Sequence, residues 1–135
     1  CTEEQKLLAQ TLLKAVGKVV NINKEELMDS ATALSGSGPA YFFYLLEALV
    51  AAGVSAGLDE KVSLKLAKST LIGSSALLQK SEDDIATLRK AVTSPGGTTE
   101  AAIEVLSKNN NLFDLFEDAV IAARDRGREL ALTKE

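Results

Sequence analysis

The stretch Ser94-Pro95-Gly96-Gly97-Thr98-Thr99 concentrates more usable chemistry than any other in the chain. It lies just ahead of a helical pattern, where unsatisfied N–H groups and the helix dipole favour an anion. Gly96 and Gly97 let the backbone come close to a ligand. The hydroxyls of Ser94, Thr98 and Thr99 add donors and acceptors that rotate to suit it. Pro95 restricts the loop. Such a loop can cradle a carboxylate or a phosphate. Composition alone favours a simpler role, a helix–helix connection with Thr98 as N-cap, because caps are common and anion sites are not.

A second loop is Ser35-Gly36-Ser37-Gly38-Pro39-Ala40-Tyr41. Ser37 is placed to cap a helix, and Pro39 suits its first turn. Gly36-Ser37-Gly38 begins like a dinucleotide fingerprint, but Tyr41 stands where the third glycine belongs, and no buried strand precedes it. These glycines serve a tight turn and close packing. Glu25-Glu26 and Asp83-Asp84 stand at helix starts; sequence neighbours diverge on a helix, so they complement its dipole rather than form an acid–base pair. Histidine is absent, which removes Ser-His-Asp and Cys-His catalysis and the usual zinc sites. Chemistry falls to hydroxyls, carboxylates, lysines, backbone amides or a borrowed cofactor.

The elements that hold these loops read almost entirely as helix. Leu7, Leu8, Leu12, Leu13 and Val16 share one face of a helix over residues 3–16, with Gly17 as its stop. Lys18-Val19-Val20-Asn21-Ile22 is the one β-branched run, and it predicts a short strand without a ladder partner. Asn23, with Glu26 three residues on, predicts a capping box opening a helix to about Leu34. The serine–glycine loop breaks that helix, and a long apolar helix follows to about Ala56. Gly57 stops it, and Asp59 caps the next, over residues 60–80. Ser81-x-x-Asp84 opens a short helix over residues 83–92. Helices over 98–108 and 112–132 flank Asn109-Asn110-Asn111, and the last carries Leu112, Leu115, Phe116, Ala119, Val120 and Ala123 on one face.

The helix from Pro39 to Ala56 is apolar on nearly every side, so it needs cover on every side. A central place in a single-chain bundle would give that cover, but with so few helices a second copy of the chain is the expected one. The whole, 135 residues with 46% hydrophobic residues, suits one domain with a sizeable core. Net charge is −4 with signs interspersed, which argues against nucleic acid as partner. Cys1 is the single cysteine, consistent with a cytoplasmic protein. Thr2 to Gln10 lacks the apolar stretch of a secretory signal, and Ala40 to Ala56 is short of a membrane span and carries Glu47. No membrane partner is expected.

In order along the chain, Ala33-Leu34-Ser35-Gly36-Ser37-Gly38-Pro39-Ala40-Tyr41 and Val92-Thr93-Ser94-Pro95-Gly96-Gly97-Thr98-Thr99 resemble the signature pair of the pyrroline-5-carboxylate reductases. Gly53-x-x-x-Gly57-Leu58 and Arg126-x-Arg128-Glu129-Leu130 fit the same pattern. The resemblance runs from about Thr2 to the end. It implies an all-α, multi-helix dimerisation domain, with residues 1–22 a remnant of a Rossmann domain and residues 23–135 the helical dimerisation and substrate-binding domain. The orphan strand would then be the last of a sheet, expected to be frayed or paired with a neighbouring chain.

The family reduces 1-pyrroline-5-carboxylate to L-proline with NADP or NAD as cofactor, bound mainly by an N-terminal domain. The resemblance implies that Ser94, Gly96, Gly97, Thr98 and Thr99 bind the substrate, with Thr99 as the catalytic residue meeting the ring nitrogen. Glu82 matches an acidic position near the family's site. Ser37, Gly38 and Pro39 match the nicotinamide end. A homodimer, or an oligomer of dimers, is implied, no metal is called for, and these helices without a cofactor fingerprint are expected to be inactive alone. Two alternatives compete: a non-enzymatic helical dimerisation module, and the helical domain of a hydroxy-acid dehydrogenase. No lysine in either loop counts against the latter.

Overall fold

The structure is a computed structural model that describes residues 1–133. Its α-helices are α1 (Glu3–Lys14), α2 (Met28–Ala31), α3 (Gly38–Ser55), α4 (Glu60–Lys80), α5 (Ile85–Ala91), α6 (Thr98–Ser107) and α7 (Asn111–Leu132). Among the described residues there is no strand, so the expectation of one over 18–22 fails. A β-branched run without a ladder leaves its N–H and C=O groups to water, and nothing then holds it as a strand. This segment instead lies along α1, where the Gln10 side chain donates to Asn21 Oδ1 at 3.0 Å.

The 25–55 stretch is far more continuous than the loop composition predicts. A single 3-10 turn, Glu25–Leu27, leads into α2, and a π-helical turn, Thr32–Gly36, carries α2 to the start of α3. Lys24, not Asn23, precedes the first turn, and no side chain caps it. Ser37 keeps helical angles and caps nothing; its N–H donates to Thr32 O at 2.9 Å, across the wider π turn. The Tyr41 hydroxyl reaches back to Ala33 O at 2.9 Å and ties the turn to α3. Helix therefore runs almost without interruption from Glu25 to Ser55, long and apolar enough by length and composition to cross a membrane.

Gly57, at φ +100°, ends α3. Leu58 N–H returns to Gly53 O and Gly57 N–H to Val54 O, the paired bonds of a glycine C-terminus. Asp59 caps α4 as expected, accepting from Lys61 and Val62 N–H. The result is an α3–α4 hairpin with a seam of small residues. Ser63 and Ala67 are buried in it, and Ser63 Oγ donates to Val50 O at 2.8 Å. The second packed unit joins α2, the π turn, α6 and α7. Gly127 of α7 lies close against Asp29 of α2; a Cβ there would sit 3.2 Å from Asp29 Oδ1. Asn109 and Asn110 take left-handed angles to turn the chain between α6 and α7, which asparagine tolerates better than most residues.

These two units do not close over a core. The chain exposes 11511 Å², whereas a compact monomer of 14.3 kDa exposes about 6,800 Å². Ala33 and Ala67 are the only buried hydrophobic residues among those described, while Phe43 is 63% and Tyr44 75% exposed. Between the first half of α3 and the start of α7 runs an open apolar groove lined by Tyr41, Tyr44, Leu45, Leu112, Leu115 and Phe116. The apolar faces of both helices are where periodicity put them, but neither has found its cover within the chain.

Candidate functional site

The loop between α5 and α6 holds most of the candidate residues, and three features shape it. Asp84 caps α5, accepting Thr87 N–H at 2.9 Å and the Thr87 hydroxyl at 3.0 Å. These two bonds hold its carboxyl below the usual carboxylate range. The capping residue is thus Asp84 and the helix begins at Ile85; Ser81 bonds to Asp83 rather than opening the helix. At the other end of α5, the Thr93 hydroxyl donates to Arg89 O at 2.7 Å. The chain then turns at Gly96, whose φ of +69° is open to glycine and costly for other residues.

Gly97 N–H donates to Ser94 O at 3.0 Å, closing the turn. Gly97 is also the N-cap residue of α6, with extended angles and no side-chain cap. The expectation that Thr98 caps is therefore corrected: Thr98 is already the first helical residue, so its hydroxyl stands past the position from which a cap reaches back. Gly96 N–H is taken as well, by Glu100 Oε2 at 2.7 Å. What stays open is the first turn of α6. Among the described residues, the N–H groups of Thr98, Thr99 and Glu100 have no partner. Ser94, Gly96 and Thr98 are exposed, whereas Gly97, Thr99 and Glu100 are half-buried. Free amides and flanking hydroxyls are the groups an anion would need at a helix start.

The other predicted residues lie elsewhere. Ser37, Gly38 and Pro39 form the junction of the π turn with α3, with Gly38 buried and Pro39 in the first turn of the helix. No hydrogen bond links them to the 94–99 loop. One element does connect the two regions: α7 packs against both the π turn and α6. Glu82 is exposed in the α4–α5 connection, and among the described residues no hydrogen bond joins it to the loop. Because Gly36-Ser37-Gly38 follows a helical turn and not a strand, these residues do not fit a dinucleotide pyrophosphate. No three potential metal ligands cluster among the described residues.

Glu100 is the site residue that sequence reading missed. Its signal was present, as an acid at the third position of a helix, where a carboxylate reaches back to free N–H groups. Across a shallow cleft between α5 and α6 it shares the lining with Arg89 and Lys90.

Residues 25–130 match the family model described as pyrroline-5-carboxylate reductase dimerisation. The chain belongs to that family. It is 42% identical over 130 residues to pyrroline-5-carboxylate reductase of Arabidopsis thaliana, covering 96% of this chain and 46% of the plant protein. With the enzyme of Synechocystis it shares 43% identity over 127 residues, 94% of this chain and 47% of the relative. A solved pyrroline-5-carboxylate reductase from Coxiella burnetii superposes with a TM-score of 0.88 at 42% identity, over 96% of this chain and 48% of that one. The Plasmodium falciparum enzyme, solved with NADP bound, gives 0.78 at 34% identity, over 93% of this chain and 47% of its own. The chain spans about half the length of the curated relatives it matches. Membership explains why the two loops stand in this order on an all-α scaffold.

Proposed function

We propose that this chain is the helical, dimer-forming and substrate-holding part of a pyrroline-5-carboxylate reductase. The observation that carries the reading is the loop at the start of α6. Open N–H groups of Thr98 and Thr99 and the hydroxyls of Ser94 and Thr98 suit the carboxylate of 1-pyrroline-5-carboxylate. The half-buried Thr99 hydroxyl meets the ring nitrogen and helps deliver its proton. Gly96 and Gly97 serve the shape of the loop, since their own N–H groups are spent within it. A nicotinamide cofactor bound in its reduced form, NADPH or NADH, would supply the hydride to the imine carbon, giving L-proline and leaving NADP or NAD. Ser37, Gly38 and Pro39 are proposed to border its nicotinamide end, and Glu82 to be the acidic neighbour of the ring. Residues 1–22 are proposed as the edge of the cofactor-binding domain.

The partner we propose is a second copy. The excess over a compact monomer, about 4,700 Å² per chain, is more than an obligate interface needs, since these total about 2,000–5,000 Å² over both partners. It also accounts for the apolar surface of α3 without a membrane. The cytosol is the proposed compartment. The decisive experiment is NAD(P)H oxidation with 1-pyrroline-5-carboxylate by the protein carrying this chain together with a cofactor domain, with Ser94→Ala and Thr99→Ala alongside. Turnover that both substitutions weaken supports the reading, and absence of turnover in the parent overturns it.

A further inference from the structure

Among the described residues, the carboxylate of Glu100 is the one charged group bonded to the backbone of the loop. An acid at this helical position ordinarily accepts the N–H of the N-cap residue. Here that N–H, on Gly97, is already given to Ser94 O at 3.0 Å. Glu100 therefore reaches one residue further and takes Gly96 N–H at 2.7 Å. The bond is charge-assisted and short. It lands on the residue whose φ of +69° sets the direction of the turn. Two consecutive glycines are the most mobile pair a loop can contain, and each is tied by one bond, Gly97 to the backbone and Gly96 to Glu100.

We infer that Glu100 is a positioning residue for the substrate carboxylate. It acts through Gly96, holding the turn so that the N–H groups of Thr98 and Thr99 stand ready before the ligand arrives. The inference rests on reading residues 94–99 as the substrate loop. A bond that orders a loop in advance lowers the entropy lost on binding, so its removal is felt in KM more than in kcat. The glutamate contributes as an acceptor; glutamine at the same place keeps an acceptor oxygen for Gly96 N–H.

The test uses the complete reductase containing this chain, with steady-state kinetics on 1-pyrroline-5-carboxylate and amide exchange at Gly96. Glu100→Ala should raise KM by about 3- to 10-fold, the range for one such hydrogen bond, with kcat within about twofold and faster exchange at Gly96. Glu100→Gln should restore most of the KM and the protection. An unchanged KM in Glu100→Ala, beside a raised KM in Ser94→Ala, overturns the role of Glu100 alone. An unchanged KM in both overturns the substrate loop and the inference with it. A lower KM in Glu100→Ala and Glu100→Gln would mean that the carboxylate competes with the substrate, and that too overturns the positioning role.

Discussion

Gly53 of α3 and Ser63 of α4 meet so closely that a methyl group on the glycine would collide with Ser63 Oγ. That hydroxyl is fixed by its bond to Val50 O and sits among the few buried groups of the chain. The α3–α4 hairpin is set by this contact. Gly53→Ala should lower stability by about 1–3 kcal/mol, the usual cost of overpacking. Adding Ser63→Ala should recover part of it, because the colliding oxygen is gone. Denaturant unfolding of the single and double variants at one protein concentration measures both.

The apolar groove between α3 and α7 should disappear inside a homodimer. Sedimentation of the 14.3 kDa chain should give twice that mass at micromolar concentration. Leu115→Asp, on a side chain 67% exposed in the single chain, should dissociate or aggregate it, since a carboxylate buried in an apolar interface has no partner. A stable, soluble parent monomer would contradict this.

The two threonines at the start of α6 should behave differently. In the complete reductase, Thr99→Ala should lower kcat/KM by roughly 10- to 1,000-fold, as for one positioned hydrogen bond or proton-transfer aid, with dimerisation intact. Thr98→Ala should change stability by less than about 0.5 kcal/mol, because Gly97 and not Thr98 holds the N-cap position. Kinetics and thermal melts on both variants check this, and normal kinetics for Thr99→Ala would remove its catalytic role. Gly97→Val should be worse than either, since its Cβ would lie 2.9 Å from Ser94 O.

Acid should loosen the start of α5, where Asp84 is the cap. The Thr87 backbone and side-chain bonds lower the Asp84 carboxyl in the folded state. A lowered carboxyl adds stability that is fully present above the unfolded aspartate value, about 4, and is lost as pH falls through the lower folded value. Amide exchange at Thr87, followed from neutral pH to below 4, should show protection failing only at the acid end. Asp84→Asn should keep the cap and flatten that dependence.

Much of the helical plan was legible in the chain itself. Gly57 and Asp59 marked the α3–α4 turn because left-handed angles and side-chain caps are local demands. Periodicity placed α7 and its apolar face for the same reason. The loops were harder. Ser35 to Pro39 is rich in residues that break helices, yet tertiary packing of the π turn against α7 kept the chain helical through it. Asn23 and Thr98 had the right chemistry for caps, but each stands one residue from the N-cap position, which falls on Lys24 and Gly97. A cap depends on backbone angles that composition does not specify.

What the sequence by itself determined is therefore the set of helices, the order of the two motif loops and the excess of apolar surface. These follow from short-range spacing, which every conformation of the chain shares. Only the tertiary structure decided which N–H groups in the 94–99 loop are spent and which are open. Hydrogen bonds such as Glu100 to Gly96 depend on where a turn delivers a side chain. It also decided that α3 and α7 keep their apolar faces uncovered in the single chain, because burial depends on what stands opposite a face, and periodicity carries no record of that.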